Sequence, residues 1–174
     1  MQQKNIWTIG HSTRTMDEFI QMLESFQIEV VADIRSYPGS KRYPHFNKEA
    51  LAVSLPEKGI AYIHLKELGG RRKVSVNSHN TAWKDVAFRG YADYMETGEF
   101  LTAVTALEQL AGKKRVAFMC AEALWWRCHR ALVSDFLKHQ GWMVTHIIDI
   151  GKGEEHPYTS PAKIIGGKLA YGKK

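Results

Sequence analysis

Four side chains stand at points in the sequence where they could carry out catalysis. Cys120 directly follows the predicted strand Arg115–Met119, and Glu122 lies two residues later. A cysteine at a helix start can lose its proton readily, because its pKa of about 8.5 is lowered there. Asp33 ends a second apolar run, and a pair of carboxylates suits acid–base chemistry, including glycosyl-bond cleavage. With His11 these form the predicted catalytic set, although Cys120 could instead be a small apolar residue that closes a strand.

The triplet Cys128-His129-Arg130 is the second polar feature of this part of the chain. Cys128 shares a helical face with Leu132, which favours a place in the core. His129 and Arg130 could face the substrate instead. Zinc takes thiolate and imidazole ligands, but Cys120 and Cys128 are too far apart in sequence to form a Cys-x-x-Cys pair. We therefore predict no metal ligand and no cofactor.

Two loops, 35–46 and 71–91, interleave basic residues with aromatic rings. Arginine binds phosphate through two parallel hydrogen bonds, and an aromatic ring can stack on a base. The alternative is that the rings fix long loops to the core and the arginines are solvated. The predicted substrate-binding residues are Ser12, Arg35, Ser36, Tyr37, Gly69, Gly70, Arg89, Tyr91, His129 and Arg130.

Length and composition limit the class of protein. The chain has 174 residues, the size of one domain, and a formal net charge of +6 with a pI of about 9.3. This charge favours anionic partners, small molecules or nucleic acid, unless it only promotes solubility. The first residues lack a secretory apolar region, no run is long enough to span a membrane, and two cysteines are too few for a disulfide framework. We expect a cytoplasmic protein with no membrane contact; the sequence leaves the oligomeric state open.

Strands alternate with helices along the chain, which predicts how the polar residues are positioned. Thr15 and Glu18 have capping-box spacing at the start of a helix, and another helix is predicted to begin after Asn47. A further helix is predicted from Leu124 to Lys138. The segment 66–89 has little periodicity, as functional or mobile loops often do. The predicted strands are Ile6–Ile9, Glu29–Ile34, Ile60–Leu65, Arg115–Met119 and Trp142–Ile147.

This alternation predicts a three-layer, Rossmann-like α/β domain with a mainly parallel sheet of about five strands. We expect the strand order 3-2-1-4-5, a single domain over residues 1–150, and a basic, mobile tail with Gly and Pro over 151–174. Ligands bind such sheets outside the carboxyl ends of the strands, where the strand order reverses. The candidate residues should therefore meet at that edge of the sheet.

As an ordered set, the polar segments resemble the domain-of-unknown-function family 488. The resemblance covers about residues 7–147 and implies a compact α/β fold of bacterial and archaeal cytosolic proteins, without an assigned activity. The segments that carry it are Gly10-His11-Ser12, Asp33-Ile34-Arg35-Ser36-Tyr37-Pro38, Leu68-Gly69-Gly70, Phe88-Arg89-Gly90-Tyr91, Cys120-Ala121-Glu122 and Cys128-His129-Arg130.

Three functions agree with these residues. The first hypothesis is an enzyme, a hydrolase or transferase, acting on a phosphorylated nucleotide-like or nucleic-acid substrate, whose activity Glu122→Gln should remove. The second is a non-catalytic nucleic-acid-binding module, in which Arg71 and Arg72 matter more than Glu122. The third is a thiol- or zinc-dependent protein that relies on Cys120 and His129.

Overall fold

A six-stranded sheet forms the centre of the computed structural model, which describes residues 3–172. The spatial order is β3-β2-β4-β1-β5-β6, with every neighbouring pair parallel except β5 and β6. This confirms the predicted mainly parallel α/β fold. The strands are β1 (Lys4–Gly10), β2 (Val30–Asp33), β3 (Ala61–His64), β4 (Val116–Cys120), β5 (Trp142–Asp149) and β6 (Lys152–Glu155).

Helices cover both faces of this sheet. Apolar residues of α1 and α2 pack with one face in a cluster that includes Phe19 and Leu51, while α3, α4 and α5 cover the other. The predicted capping box of α1 is present at Thr15 and Glu18. Within residues 3–172, no helix is both long and apolar enough to cross a membrane. The helices are α1 (Met16–Ser25), α2 (Lys48–Ser54), α3 (Val86–Tyr94), α4 (Gly98–Ala111) and α5 (Arg130–His139).

The strand order differs from the predicted 3-2-1-4-5 in the places of β1 and β4. β4 lies between β2 and β1, so that Ala117 is the partner of both Val31 and Trp7. All five residues of β4 are buried, which suits a central strand covered on both faces. The prediction that β1 and β4 are neighbours is confirmed, and Gly10 is paired with Cys120.

Residues 151–172 contain three strands, where the sequence indicated only a basic tail, and the mobility of this stretch stays a prediction. β6 pairs antiparallel with β5, and β7 (Lys163–Ile165) forms a hairpin with β8 (Lys168–Ala170). Gly166 and Gly167 between them have φ values of 58° and 76°, the positive pair that tight hairpins need. The polar composition of this stretch concealed its buried hydrogen bonds. Lys173 and Lys174, also assigned to the tail, lie outside the described residues.

The predicted helix 124–138 begins later than expected. Trp125–Arg127 form a short 3-10 turn, Cys128 is extended with φ −130° and ψ 149°, and α5 starts at Arg130. Cys128 therefore precedes the helix, where it can accept a hydrogen bond from a backbone N–H that has no partner inside the helix.

Candidate active site

A cavity of about 440 Å³ opens beside the carboxyl ends of β2 and β4. Some residues of its lining are buried and others are exposed to solvent. Cys120 and Cys128 are 2% and 7% exposed, whereas Tyr37 is 70% exposed. This is the edge of a parallel sheet where ligands are expected to bind. Partly exposed and fully exposed side chains complete the lining, among them Phe88, His129, Arg71, Glu122 and Arg127.

Backbone hydrogen bonds hold the loops after β1 and β4 together. The N–H groups of His11 and Ser12 donate to the carbonyls of Cys120 and Ala121 at 3.0 and 2.9 Å. Gly10 allows this close approach, since a Cβ there would lie 1.8 Å from the carbonyl oxygen of Glu122. The loop that carries Cys120 and Glu122 is thus fixed against the end of β1.

The two thiols meet at the inner end of the cavity. Cys120 Sγ and Cys128 Sγ are 2.8 Å apart, and the N–H of Arg130 donates to Cys128 Sγ at 3.3 Å. Burial raises the pKa of Cys128, but the hydrogen bond with Cys120 and the charge and N–H group of Arg130 lower it more, to about 7. The pKa of Cys120 is raised by burial and by its contact with Cys128. Cys128 is therefore the thiol that ionises near neutral pH.

His129 lies next to the ionising thiol. Its Nε2 is 3.2 Å from the carbonyl oxygen of Ile34 and its Nδ1 is 3.6 Å from Cys128 Sγ. Because a carbonyl only accepts, Nε2 carries the proton and Nδ1 is free to accept one from the thiol. Burial lowers the pKa of His129, which keeps the ring neutral at pH 7. A thiol, a base and a group that orients the base are the parts that nucleophilic catalysis requires.

Asp33, Arg35 and His11 form a buried group behind the cavity, and of these three only Arg35 contributes to its lining. Arg35 pairs with Asp33 at 2.7 Å, and the hydroxyl of Tyr62 donates to the same carboxylate at 2.6 Å. His11 Nε2 accepts from Arg35 at 3.3 Å. Burial lowers the pKa of His11 to about 4. These side chains neutralise one another and hold the loop after β2 in place.

The predicted substrate-binding residues divide into two groups. Those that line the cavity are Arg35, Ser36, Tyr37, Gly70, Tyr91 and His129. Ser36 donates to the Gly70 carbonyl at 3.0 Å, which joins the loop after β2 to the segment after β3. Tyr91 of α3 donates to the Leu68 carbonyl of the same segment at 2.7 Å. Those outside the lining are Ser12, Gly69, Arg89 and Arg130.

The residues outside the lining have internal partners. Gly69 packs so closely that a Cβ would lie 2.1 Å from Ser36 Oγ. Arg89 Nε donates to the Trp83 carbonyl at 2.9 Å. Arg130 is 1% exposed and donates to the Glu122 carbonyl at 2.8 Å.

The predicted site residues did not include Cys128, Arg71 or Arg127, although Arg71 was named for the nucleic-acid-binding alternative. Cys128 is buried, as its apolar neighbours predicted, but it also lines the cavity. The adjacent His129 was the available signal, since a Cys-His pair is a common nucleophile and base. Among residues 3–172, no group of three or more His, Cys, Asp or Glu side chains is placed to hold a metal ion.

A family model described as "Domain of unknown function DUF488" matches residues 15–137, well over half of the chain, and the chain belongs to this family. This confirms the resemblance found in the sequence. Comparisons with curated proteins and with solved structures gave no significant match.

Proposed function

We propose that this member of the DUF488 family is an enzyme that acts on a phosphorylated, nucleotide-like substrate, with Cys128 as its nucleophile. The observation that carries the proposal is the pair formed by Cys128 and His129 at the inner end of the cavity, 3.6 Å apart. A thiol with a pKa of about 7 is substantially ionised at neutral pH, and the thiolate is the reactive form. The proposal unites the enzyme and thiol hypotheses drawn from the sequence.

The cavity suits a small anionic molecule with a planar group. Its volume of about 440 Å³ lies in the range of small-molecule sites, about 300–1,000 Å³. Arg71 and Arg127 are exposed in its lining and can bind a phosphate. Tyr37 and Phe88 offer ring faces on which a base can stack. A nucleotide, or the end of a nucleic acid, combines these two properties.

Three polar residues of the lining have catalytic roles in this proposal. Cys128 Sγ attacks the electrophilic centre and forms a covalent intermediate, and His129 Nδ1 takes the proton of any thiol still protonated. Glu122, exposed in the lining, is the acid that protonates the leaving group and then the base that activates water. In the cytoplasm, where thiols stay reduced, Cys128 would be available for this chemistry.

The test combines binding with protection of the nucleophile. Reduced protein is incubated with nucleosides, nucleotides, inorganic phosphate or short oligonucleotides, and the melting temperature and the alkylation rate of Cys128 by iodoacetamide are measured. A substrate-like nucleotide should raise the melting temperature and slow alkylation at least tenfold (about 1.4 kcal/mol). Arg71→Ala and Arg127→Ala should weaken both effects. Arg42→Ala, an exposed arginine outside the cavity, is the control.

Two outcomes would contradict the proposal. A shift only with oligonucleotides that disappears at high salt, with unchanged alkylation, would favour a nucleic-acid-binding module. Alkylation of Cys128 no faster than that of a free thiol would remove it as the nucleophile. Once a turnover assay exists, Glu122→Gln should remove activity without lowering the melting temperature; full turnover would discard its acid–base role.

A further inference from the structure

We infer that Cys120 and Cys128 are a redox-active pair that a hydroperoxide converts into a reversible intramolecular disulfide. Their sulfur atoms are 2.8 Å apart, and a disulfide bond needs about 2.0 Å. Both residues line the cavity, so a small oxidant can reach them from solvent. The chain contains these two cysteines and no others. The inference stands apart from the proposed function, because it needs only the two thiols and access to them.

The surroundings assign different roles to the two sulfurs. Cys128 Sγ accepts the N–H of Arg130 at 3.3 Å and lies 3.6 Å from His129 Nδ1, so a negative charge on it is stabilised. Cys120 Sγ lies 3.7 Å from the carbonyl oxygen of Glu122, an acceptor that favours the protonated thiol. Cys128 is therefore the sulfur that attacks the peroxide, and Cys120 is the sulfur that resolves the product.

The chemistry proceeds in two balanced steps. The Cys128 thiolate attacks the distal oxygen of the hydroperoxide; an S–O bond forms, the O–O bond breaks, and the alkoxide or hydroxide released takes a proton from solvent. Cys128 is then a sulfenic acid, oxidised by two electrons. Cys120 next attacks that sulfur; the S–S bond forms, the S–O bond breaks, and the hydroxyl leaves as water with the Cys120 proton. A small thiol reductant restores both thiols by exchange.

Oxidation would also remove the proposed nucleophile. In the disulfide, Cys128 can neither be alkylated nor attack a substrate. Whether the disulfide forms is measured by mass, without any substrate.

The experiment treats the reduced full chain with hydrogen peroxide and follows intact mass and thiol count. The expected product is a monomer about 2 Da lighter than the reduced chain, with no thiol left for N-ethylmaleimide. Dithiothreitol should restore both thiols. Cys120→Ser should stop at the sulfenic acid, which dimedone traps on Cys128, and Cys128→Ser should give neither the disulfide nor the trapped acid. Cys120→Ala repeats the first variant if serine disturbs folding.

Other products would overturn the inference. These are direct conversion of wild-type Cys128 to the sulfinic acid without a lighter species, or a covalent dimer on a non-reducing gel. Equal dimedone labelling of the wild type and Cys120→Ser would likewise show that Cys120 does not resolve the sulfenic acid. If the lighter disulfide product forms but no nucleotide protects Cys128, the redox inference holds and the proposed function fails. The two proposals can therefore be distinguished.

Discussion

Two groups of polar side chains meet at the start of α5 and differ in their access to the cavity. One is the thiol group, Cys120, Cys128 and His129, which lines the cavity. The other, here called the closed chain, runs from Arg130 to Asp135. Its members are Arg130, Thr8, His146, His156 and Asp135, all 0–1% exposed.

Each link of the closed chain joins one donor to one acceptor. Arg130 donates to Thr8 Oγ1 at 3.2 Å, and the Thr8 hydroxyl then donates to His146 Nδ1 at 2.6 Å. His146 Nε2 donates to His156 Nδ1 at 2.9 Å, and His156 Nε2 donates to Asp135 at 2.8 Å. This single direction fixes the tautomer of both rings, because the carboxylate can only accept. Within residues 3–172, the Nε of Arg130 is the one buried nitrogen or oxygen of these five side chains without a partner. A buried network paired to this extent indicates a structural role.

The thiol group differs in its position rather than in its pairing, since its polar atoms also have partners. The pKa of Cys128 is lowered to about 7, and both sulfurs line a cavity large enough for a substrate. A titratable thiol next to an open cavity is typical of a functional site. Unusual polar residue types occur in both groups and do not separate a structural role from a functional one. The cavity and the ionisable thiol do.

The largest expected effect comes from breaking the closed chain at its acceptor. Asp135 accepts hydrogen bonds from His156, Thr159 and Tyr171, and Asp135→Ala leaves these donors without a partner. Unfolding free energy should fall by about 3–5 kcal/mol, measured in urea. Asp17→Ala removes an exposed carboxylate from the first turn of α1 and should cost no more than about 1 kcal/mol. Equal losses in the two variants would show that the closed chain is not a stabilising unit.

Arg130 belongs to the closed chain and its backbone N–H donates to Cys128 of the thiol group, so replacing its side chain tests where the two groups join. Arg130→Met removes the donors to Thr8 and to the Glu122 carbonyl, and should cost about 2–3 kcal/mol of stability. The charge of Arg130 also lowers the pKa of Cys128. The pH midpoint of Cys128 alkylation should therefore rise above 7. If stability falls clearly but the pH midpoint of Cys128 alkylation does not change, Arg130 stabilises the closed chain without controlling the ionisation of Cys128.

Acid should weaken the structure through its buried histidines. Burial lowers the pKa of His146 from 6.5 to about 2 and that of His11 to about 4. Below pH 6.5 the unfolded chain binds protons that the folded chain excludes, so stability falls as the pH falls. Between pH 6.5 and 5 the slope is at most about 1.4 kcal/mol per pH unit for each histidine.

The measurement is urea unfolding at several pH values in that window. His11→Gln should reduce the slope of stability against pH by the contribution of one proton, at most about 1.4 kcal/mol per pH unit. Glutamine keeps a polar group beside Arg35 and does not titrate. If the stability of the wild type does not change with pH in this window, these rings are protonated in the folded state as well.

Local sequence signals predicted the elements well and the contacts between distant segments poorly. The capping box at Thr15 and Glu18 predicted the start of α1, because such a cap is a contact within four residues. The place of β4 between β2 and β1 depends on packing across the whole chain, and alternation alone does not specify it. The link from His156 back to Asp135 also joins segments distant in sequence, and so the local sequence did not indicate the strands of segment 151–172.

Contacts between distant segments also limited what the sequence could predict about the candidate site. The strand-end rule gathered Cys120, Glu122 and the loop after β2 at one edge, and the structure places them there. It could not distinguish arginines that bind internal partners, Arg89 and Arg130, from the exposed Arg71 and Arg127. Every arginine carries the same charge in a sequence, and only geometry shows which charges are already satisfied.

The smallest effect concerns the contact between the two sulfurs. The hydrogen bond with Cys120 lowers the pKa of Cys128, so Cys120→Ala should raise it and slow iodoacetamide alkylation at pH 7 by about two- to tenfold. Cys120→Ser keeps a hydroxyl that can donate to the thiolate and should give a rate closer to that of the wild type. If alanine and serine slow the reaction equally, the second sulfur acts through packing rather than through its proton. Arg130 would then be the group that lowers the pKa of Cys128, and the ionisation of the thiol would depend on a member of the closed chain.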